Sequence, residues 1–253
     1  MNATHREHFA GEPPHCNELH APENIQAKPS LWAWYQEMYR NAASSLANAP
    51  KEGLAIELGS GSGLIKTVIP EIITTEITPN NRVDQAVDAT QMPFPDESVR
   101  FIFLLNVLHH IPDVEAFFKE ANRCLMPGGR IFIVDQYRGW FSRFIYKYAH
   151  NEPYDDKTPE WRFVANDPMK SANGALAWIV FDRDQHRFAS LFPKLRVQTY
   201  RPHTPLRYWL TGGLKHWTLL PRSLFGLASW IDRALVKLNP KTASFIDIEI
   251  VKQ

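Results

Sequence analysis

Three acidic residues and three glycines fall in a pattern able to hold a small polar ligand. In AIELGSGSG, residues 55 to 63, an apolar run carries Glu57 near its end and is followed by Gly59, Gly61 and Gly63 at alternate positions. Glycine lets the backbone turn sharply and approach a ligand with no Cβ in the way, and a helix that starts there presents free N–H groups. The same segment also reads as a tight strand-to-helix connection, and its GxGxG spacing departs from the GxGxxG of dinucleotide sites. The next apolar run ends at Glu76, 19 residues after Glu57, where a carboxylate can accept hydrogen bonds from both hydroxyls of a ribose. A third run ends at Asp88, followed by Ala89, in VDATQMPFPDESV. Three acidic strand ends around one glycine-rich turn describe a ligand site on the carboxyl edge of an open sheet.

The elements that must position these residues are short apolar runs separated by helical segments. LAIEL, IITTEI, QAVDA, FIFLLN and RIFIVD suit strands buried on both faces of a parallel sheet. Before them, Ser30 is placed to cap a helix whose apolar positions Leu31, Trp34, Tyr35, Met38, Ala42 and Leu46 keep helical spacing. Helices are also expected over Leu64 to Ile69, over Asp113 to Leu125, and near Asp182 to Leu191. LRVQTYR and the alternating SFIDIEIVK read as two strands closing one edge. Alternation of strand and helix predicts an α/β fold with a doubly wound, Rossmann-like sheet.

AIELGSGSG, TTEIT, VDATQMPFPDESV and FLLNVLHHIPDVEAFFKEANRCLMPGGRIFIVD together resemble the class I S-adenosylmethionine-dependent methyltransferases, in particular the type 11 group, over roughly residues 53 to 135. The resemblance implies a seven-stranded, mostly parallel sheet with its last strand antiparallel, and S-adenosyl-L-methionine as cofactor. It places Glu57, Gly59, Gly61 and Gly63 along the methionine part of that cofactor. Glu76 falls at the ribose, Asp88 and Ala89 at the adenine, and Asn106 under the methyl donor. Two departures stand out: Arg100 occupies a position where the family usually has Asp, and Pro70 cuts short the helix after the glycine loop.

A methyl on a sulfonium is already activated, so the protein's main task is to align nucleophile, methyl and sulfur. A hydroxyl acceptor also has a proton to lose, and histidine suits that step. His109 and His110 follow the fourth strand and are candidates for the catalytic role; the alternative is a packed loop histidine. Asp135 and Tyr137, at the end of the fifth strand, are further candidates, with Asp135 also suited to binding acceptor hydroxyls, and His203 is another. The N-terminal His8, His15, Cys16 and His20 lie in a Pro-rich stretch without metal-site spacing, so no metal centre is expected.

Composition sets the outer bounds. The chain has 253 residues, 44% hydrophobic and 22% charged, with a net charge of +1. That is globular composition and excludes wholesale disorder or a polycationic coat protein. One domain over residues 30 to 253 is expected, preceded by an irregular arm over 1 to 29. Two cysteines, Cys16 and Cys124, exclude a disulfide scaffold, and the absence of a secretory or membrane-spanning apolar run points to the cytoplasm.

Two inserts bear on the acceptor. Residues 136 to 181 hold eleven aromatics in 46 positions, about twice the chain's 12%, which suits either an aromatic-walled pocket over the methyl donor or a self-packed helical cap. The second insert, about 202 to 242, lies in a stretch from 194 to 241 with nine basic residues against Asp232 alone. Within it, PRSLFGLASWIDRALVKLNP reads as an amphipathic helix with Leu224, Leu227, Ala228, Ile231, Leu235 and Leu238 on one face, opposite Arg233 and Lys237. Such a helix suits an anionic bilayer surface or packs on the domain with its charges in water. The dispersed charge disfavours nucleic acid. The expected reaction is methyl transfer to an amphiphilic or lipid-linked small molecule, such as a glycolipid or a saccharide on a lipid carrier, at the inner membrane face. The rivals are an RNA or protein methyltransferase and a non-catalytic cofactor-binding module.

Overall fold

The computed structural model describes residues 21–148, 152–165 and 171–253. Its sheet has seven strands: β1 (Leu54–Leu58), β2 (Ile73–Glu76), β3 (Gln85–Ala86), β4 (Val99–Leu105), β5 (Leu125–Gln136), β6 (Leu195–His203) and β7 (Phe245–Lys252). Their order across the sheet is β3-β2-β1-β4-β5-β7-β6. β2, β1, β4 and β5 run parallel, and β7 pairs antiparallel with both β5 and β6. This is the doubly wound, mostly parallel sheet with an antiparallel last strand that the sequence implies.

Alternation along the central strands sorts the core into two faces. Ile102 and Leu104 of β4 and Ile131 and Ile133 of β5 join α3 (Val114–Cys124) and α6 (Gln185–Leu191) on one side. Phe101 and Phe103 of β4 and Phe132 and Val134 of β5 point to the other, where α2 (Pro29–Leu46) covers them with Trp34, Tyr35, Met38 and Tyr39. Asp113 caps α3 by accepting from the Ala116 amide at 2.9 Å.

Several local expectations change. α2 begins at Pro29, whose fixed φ suits the first helical position, so Ser30 lies inside the helix, buried, and does not cap it. In the expected N-terminal arm, Pro22–Gln26 form a short helix, α1, with Ile25 buried. His8, His15, Cys16 and His20 lie outside the described residues. Leu64 to Ile69 is not an α-helix but a single 3-10 turn, Leu64–Thr67, because Pro70 closes the segment before a second turn can form. The aromatic segment opens with α4 (Trp140–Tyr148) and includes a helical turn, α5 (Leu176–Trp178).

Between β6 and β7 the chain forms α7 (Arg207–Leu210) and α8 (Phe225–Leu238). α8 is turned relative to its apolar pattern. It buries Phe225, Ser229 and Asp232, one stripe at helical spacing, and leaves Leu224, Leu227, Trp230, Ile231 and Leu238 exposed. The cause lies underneath. Asp232 accepts from the Leu206 and Arg207 amides at 2.9 and 3.3 Å, and Ser229 Oγ accepts from Arg207 Nη1 at 2.7 Å. These buried polar bonds hold α8 on the domain together with buried Phe225 and partly buried Ala228 and Val236.

Candidate active site

The carboxyl ends of β1, β2, β4 and β5 form the edge on which most of the sequence-derived residues meet. Glu57 is buried near the end of β1, and its Oε2 has no hydrogen-bond partner among the described residues. Burial pushes its carboxyl up to about 8, the Ser60 hydroxyl opposes this, and the charge of Glu76 adds to it. Gly59, Gly61 and Gly63 all adopt the left-handed conformation, with φ of 65°, 54° and 65°. A Cβ on Gly59 would collide with the Val107 side chain. Gly59→Ala is therefore expected to cost about 2 kcal/mol in urea unfolding, from the left-handed backbone and the forced displacement of Val107.

The loop is tied to β2. The Ser60 amide donates to the Thr75 carbonyl at 2.8 Å, and Thr75 Oγ1 donates to the Glu57 carbonyl at 2.9 Å. Glu76 is buried at the end of β2, and its Oε1 accepts from the Gly61 amide at 2.7 Å. One end of that carboxylate thus supports the loop. On the next strand over, Asn106 sits just past β4 with φ 56°, and its buried Oδ1 lacks a partner among the described residues. β1 and β4 pair with Leu58 opposite Leu104, so Glu57 Oε2 and Asn106 Oδ1 are orphaned acceptors on neighbouring strand ends. Buried oxygens left without donors are costly, and a ligand with N–H groups satisfies them. The residues present therefore fit an amino-acid-bearing nucleoside cofactor.

Asp88 is placed differently from the expectation. β3 stops at Ala86, so Asp88 lies beyond the strand, exposed, with Oδ1 accepting from both the amide and the hydroxyl of Thr90 at 2.8 and 2.7 Å. It shapes its own turn, with half-buried Ala89 beside it.

Beside the glycine loop, a short 3-10 turn after β4 carries His109 and His110. His109 is 2% exposed. Its Nδ1 is 2.6 Å from Oδ1 of fully buried Asp135 on β5, and its Nε2 is 3.3 Å from Glu152 Oε2. Burial alone would lower the His109 pKa, but the charges and hydrogen bonds of Asp135 and Glu152 outweigh it and push it up to about 10. His110 donates from Nδ1 to the Ser171 carbonyl at 3.1 Å and brings Nε2 to 3.6 Å from Glu152 Oε1. Gln136 Nε2 donates to Glu152 Oε2 at 3.1 Å. Burial would raise Glu152, yet His109 and His110 hold it well below the usual carboxylate range.

The structure thus brings together Glu57, the three glycines, Glu76, Asn106, His109, His110 and Asp135 on one edge. It does not bring Tyr137 or His203 to the histidines: Tyr137 packs in the core against Tyr200, and His203 lies 2.9 Å from Asp247. Glu152 is the residue that sequence reasoning missed. It lies 42 positions beyond His110 in an irregular segment, and no motif marks it. The aromatic segment also divides. Trp161 and Tyr146 are buried, while Trp140, Phe141, Phe144 and Tyr148 are exposed, so they do not wall a single pocket.

Residues 56–133 match the model of the methyltransferase domain family. A stretch of 53 residues is 40% identical to 27-O-demethylrifamycin SV methyltransferase of Amycolatopsis mediterranei, covering 21% of this chain and 20% of that protein. Another of 77 residues is 35% identical to sterol 24-C-methyltransferase of Aspergillus fumigatus, covering 30% of this chain and 17% of that one. The matches thus span a fifth or less of the length of these relatives. Geranyl diphosphate C-methyltransferase from Streptomyces coelicolor A3(2) shares the fold, with a TM-score of 0.52 at 13% identity over 96% of this chain and 88% of that one. Strand order, glycine loop and family match lead to one assignment: the chain carries a methyltransferase domain of the class I, S-adenosylmethionine-dependent type.

Proposed function

We propose that the protein transfers the methyl group of S-adenosylmethionine to a hydroxyl of an amphiphilic or lipid-linked small molecule at an anionic membrane surface. The observation that carries the transfer is the single edge on which the orphaned oxygens of Glu57 and Asn106 meet the His109–Asp135 pair. Bound there, the cofactor supplies a methyl on a positively charged sulfur, so that an O–C bond forms as the C–S bond breaks, its electron pair returns to sulfur, and the hydroxyl proton is released. Glu57 holds the cofactor's ammonium group, Glu76 its ribose hydroxyls, and Asp88 with Ala89 its adenine. The cluster of His109, His110 and Glu152, with Asp135 fixing the His109 ring, receives the acceptor oxygen and passes on its proton. Small-molecule methyltransferases are among the similar proteins, those of a sterol and of a rifamycin included.

The acceptor class rests on the outward face of α8. Leu227 is 55% exposed, Trp230 62% and Leu238 84%, beside the exposed cations Arg233 and Lys237. α4 adds Trp140, Phe141 and Phe144. α4 packs near the 3-10 turn Pro240–Thr242 that follows α8, where Ser142 Oγ lies 3.2 Å from the Ala243 carbonyl. An apolar face with basic flanks, in a stretch of nine cations to one anion, complements an anionic bilayer. Among the described residues no helix is long and apolar enough to cross a membrane, so this contact is at the surface.

The test is flotation with anionic and with neutral vesicles, joined to labelling of fractionated extract with radioactive methyl donor. Wild type floats with anionic vesicles and labels the lipid fraction. Leu227→Glu with Ile231→Glu stays at the bottom, with its unfolding midpoint unchanged because both side chains are exposed. Absence of flotation, with full activity after neutralising Arg233 and Lys237, overturns the membrane reading. Label in RNA or in a protein band overturns the acceptor class, and no label in any fraction overturns methyl transfer.

A further inference from the structure

His109, His110 and Glu152 have a geometry that proton handling alone does not require. The two imidazoles aim their Nε2 atoms at opposite oxygens of one carboxylate, 3.3 and 3.6 Å away. A cation with ligand bonds of about 2.0–2.1 Å in tetrahedral array keeps its ligands roughly 3.4 Å apart. All three ligand atoms lie within 4.8 Å of one another. We propose that His109 Nε2, His110 Nε2 and the Glu152 carboxylate form a binding site for a divalent transition-metal cation of the zinc type, with the fourth position open to an oxygen of the acceptor.

Three further observations support the site. Each ring is fixed from behind through its other nitrogen, His109 by the Asp135 carboxylate at 2.6 Å and His110 by the Ser171 carbonyl at 3.1 Å. Histidine ligands of metals are held in this way, which sets the tautomer and aims Nε2 forward. The carboxylate is steadied in the same way: Gln136 Nε2 donates to Glu152 Oε2 at 3.1 Å, as ligating carboxylates are themselves hydrogen-bonded. The ligand-bearing segments are also tied to each other. The Asn173 amide donates to the His109 carbonyl at 2.8 Å, the Gly174 amide to the Pro153 carbonyl at 3.0 Å, and Asn173 Oδ1 accepts from the Asp155 amide at 3.0 Å. Glu152 is therefore held against the histidines by backbone on both sides of the cleft.

Two imidazoles and one carboxylate select zinc-type ions over magnesium or calcium, which prefer all-oxygen shells. Three protein ligands with an open position make a catalytic and not a structural arrangement. The acceptor hydroxyl takes that position, its O–H bond breaks with the proton passing to water, and the oxygen keeps the electron pair with which it attacks the methyl. Occupancy of the site stands on the cluster alone, and only its part in turnover rests on the methyl-transfer reading.

The experiment is a cobalt titration of the full chain after treatment with a chelator. Wild type is expected to develop the visible absorption of four-coordinate cobalt and to lose it when zinc is added. His110→Ala and Glu152→Gln are expected to weaken binding at least a hundredfold, and Asp135→Asn, which removes the carboxylate behind His109 and leaves all three ligands in place, about ten- to a hundredfold. Circular dichroism checks that each variant is folded. His110 and Glu152 are both partly exposed, so at least one of those two variants serves as the comparison. No visible band, or a band that both variants keep, overturns the site. Donor binding is measured separately by calorimetry: heat with donor but no cobalt band removes the metal and leaves methyl transfer standing, while a cobalt band without donor heat does the reverse.

Discussion

Arg207→Ala is expected to destabilise the protein by about 3–5 kcal/mol, read as a fall in the urea midpoint. Arg207 is 4% exposed, and its guanidinium serves four partners. Nη1 and Nη2 each donate to the Glu37 carboxylate at 2.7 Å, Nη1 also donates to Ser229 Oγ, Nη2 donates to Thr204 Oγ1 at 3.2 Å, and Nε lies 3.4 Å from Asp232 Oδ2. Truncation strands Asp232, which is 2% exposed and whose carboxyl burial already raises despite the amides and guanidinium that oppose it. The cost comes from leaving the buried Asp232 carboxyl with its two amide donors but without the guanidinium, more than from the energy of the pairs themselves. Lysine does not restore the loss, because it cannot reproduce the bidentate fork to Glu37. Replacing Arg207, Asp232 and Glu37 together by apolar residues of similar size recovers most of it. A midpoint within 1 kcal/mol of wild type for Arg207→Ala would show that the clamp contributes little. Because the same residue pins α8, the variant is also expected to lose protection of α8 amides in hydrogen exchange before the sheet loses any.

The second large effect is on donor binding as pH changes. Glu57 is pushed up to about 8, so in the ligand-free protein its neutral form dominates at pH 7. An ammonium group binds the carboxylate, so binding must release the Glu57 proton. Affinity therefore rises with pH, about tenfold from pH 6 to 7 and about fivefold from pH 7 to 8. The gain levels off near pH 8, where Glu57 is already ionised and the donor's α-amino group, with an ordinary pKa of about 7.7–8.0, starts to lose its charge. Stability of the ligand-free protein runs oppositely. A carboxyl whose folded pKa is raised contributes its full stabilisation below the ordinary carboxylate pKa and loses it as pH climbs through 8. Calorimetry in two buffers of different ionisation enthalpy checks both points at once. One proton released at pH 7 and none for Glu57→Gln is the expected outcome, and a pH-independent affinity in wild type contradicts the role given to Glu57.

The parts of the site that were legible in the sequence are those set by local backbone chemistry. Alternating glycines demand a left-handed loop wherever the chain folds, and apolar runs ending in Glu57, Glu76 and Asn106 mark one edge because parallel strands place their carboxyl ends together. What was illegible depended on distant partners. Glu152 acquires meaning only when α4 and the segment after it return to β4 and β5. Asp88 sits beyond its expected strand end because β3 pairs with β2 through only two residues. α8 defeats periodicity for a similar reason. Its apolar pattern is strong, yet Leu206 and Arg207, outside its own segment, supply the buried polar contacts to Ser229 and Asp232 that turn it over.

The helix that roofs the aromatic side of the sheet has a practical meaning for anyone dividing this gene. The family match spans residues 56–133, yet Phe101, Phe103 and Phe132 within it are shielded by Trp34 and Tyr39, while Trp34 in turn packs at a tilt against Phe245 and Ser45 bonds to Glu249. α2 and β7 interlock across the centre. A fragment trimmed to the recognisable stretch would emerge from the ribosome with half its interior bare, and would aggregate. Chimeras that exchange the catalytic edge must carry everything from Pro29 to Lys252 as one piece.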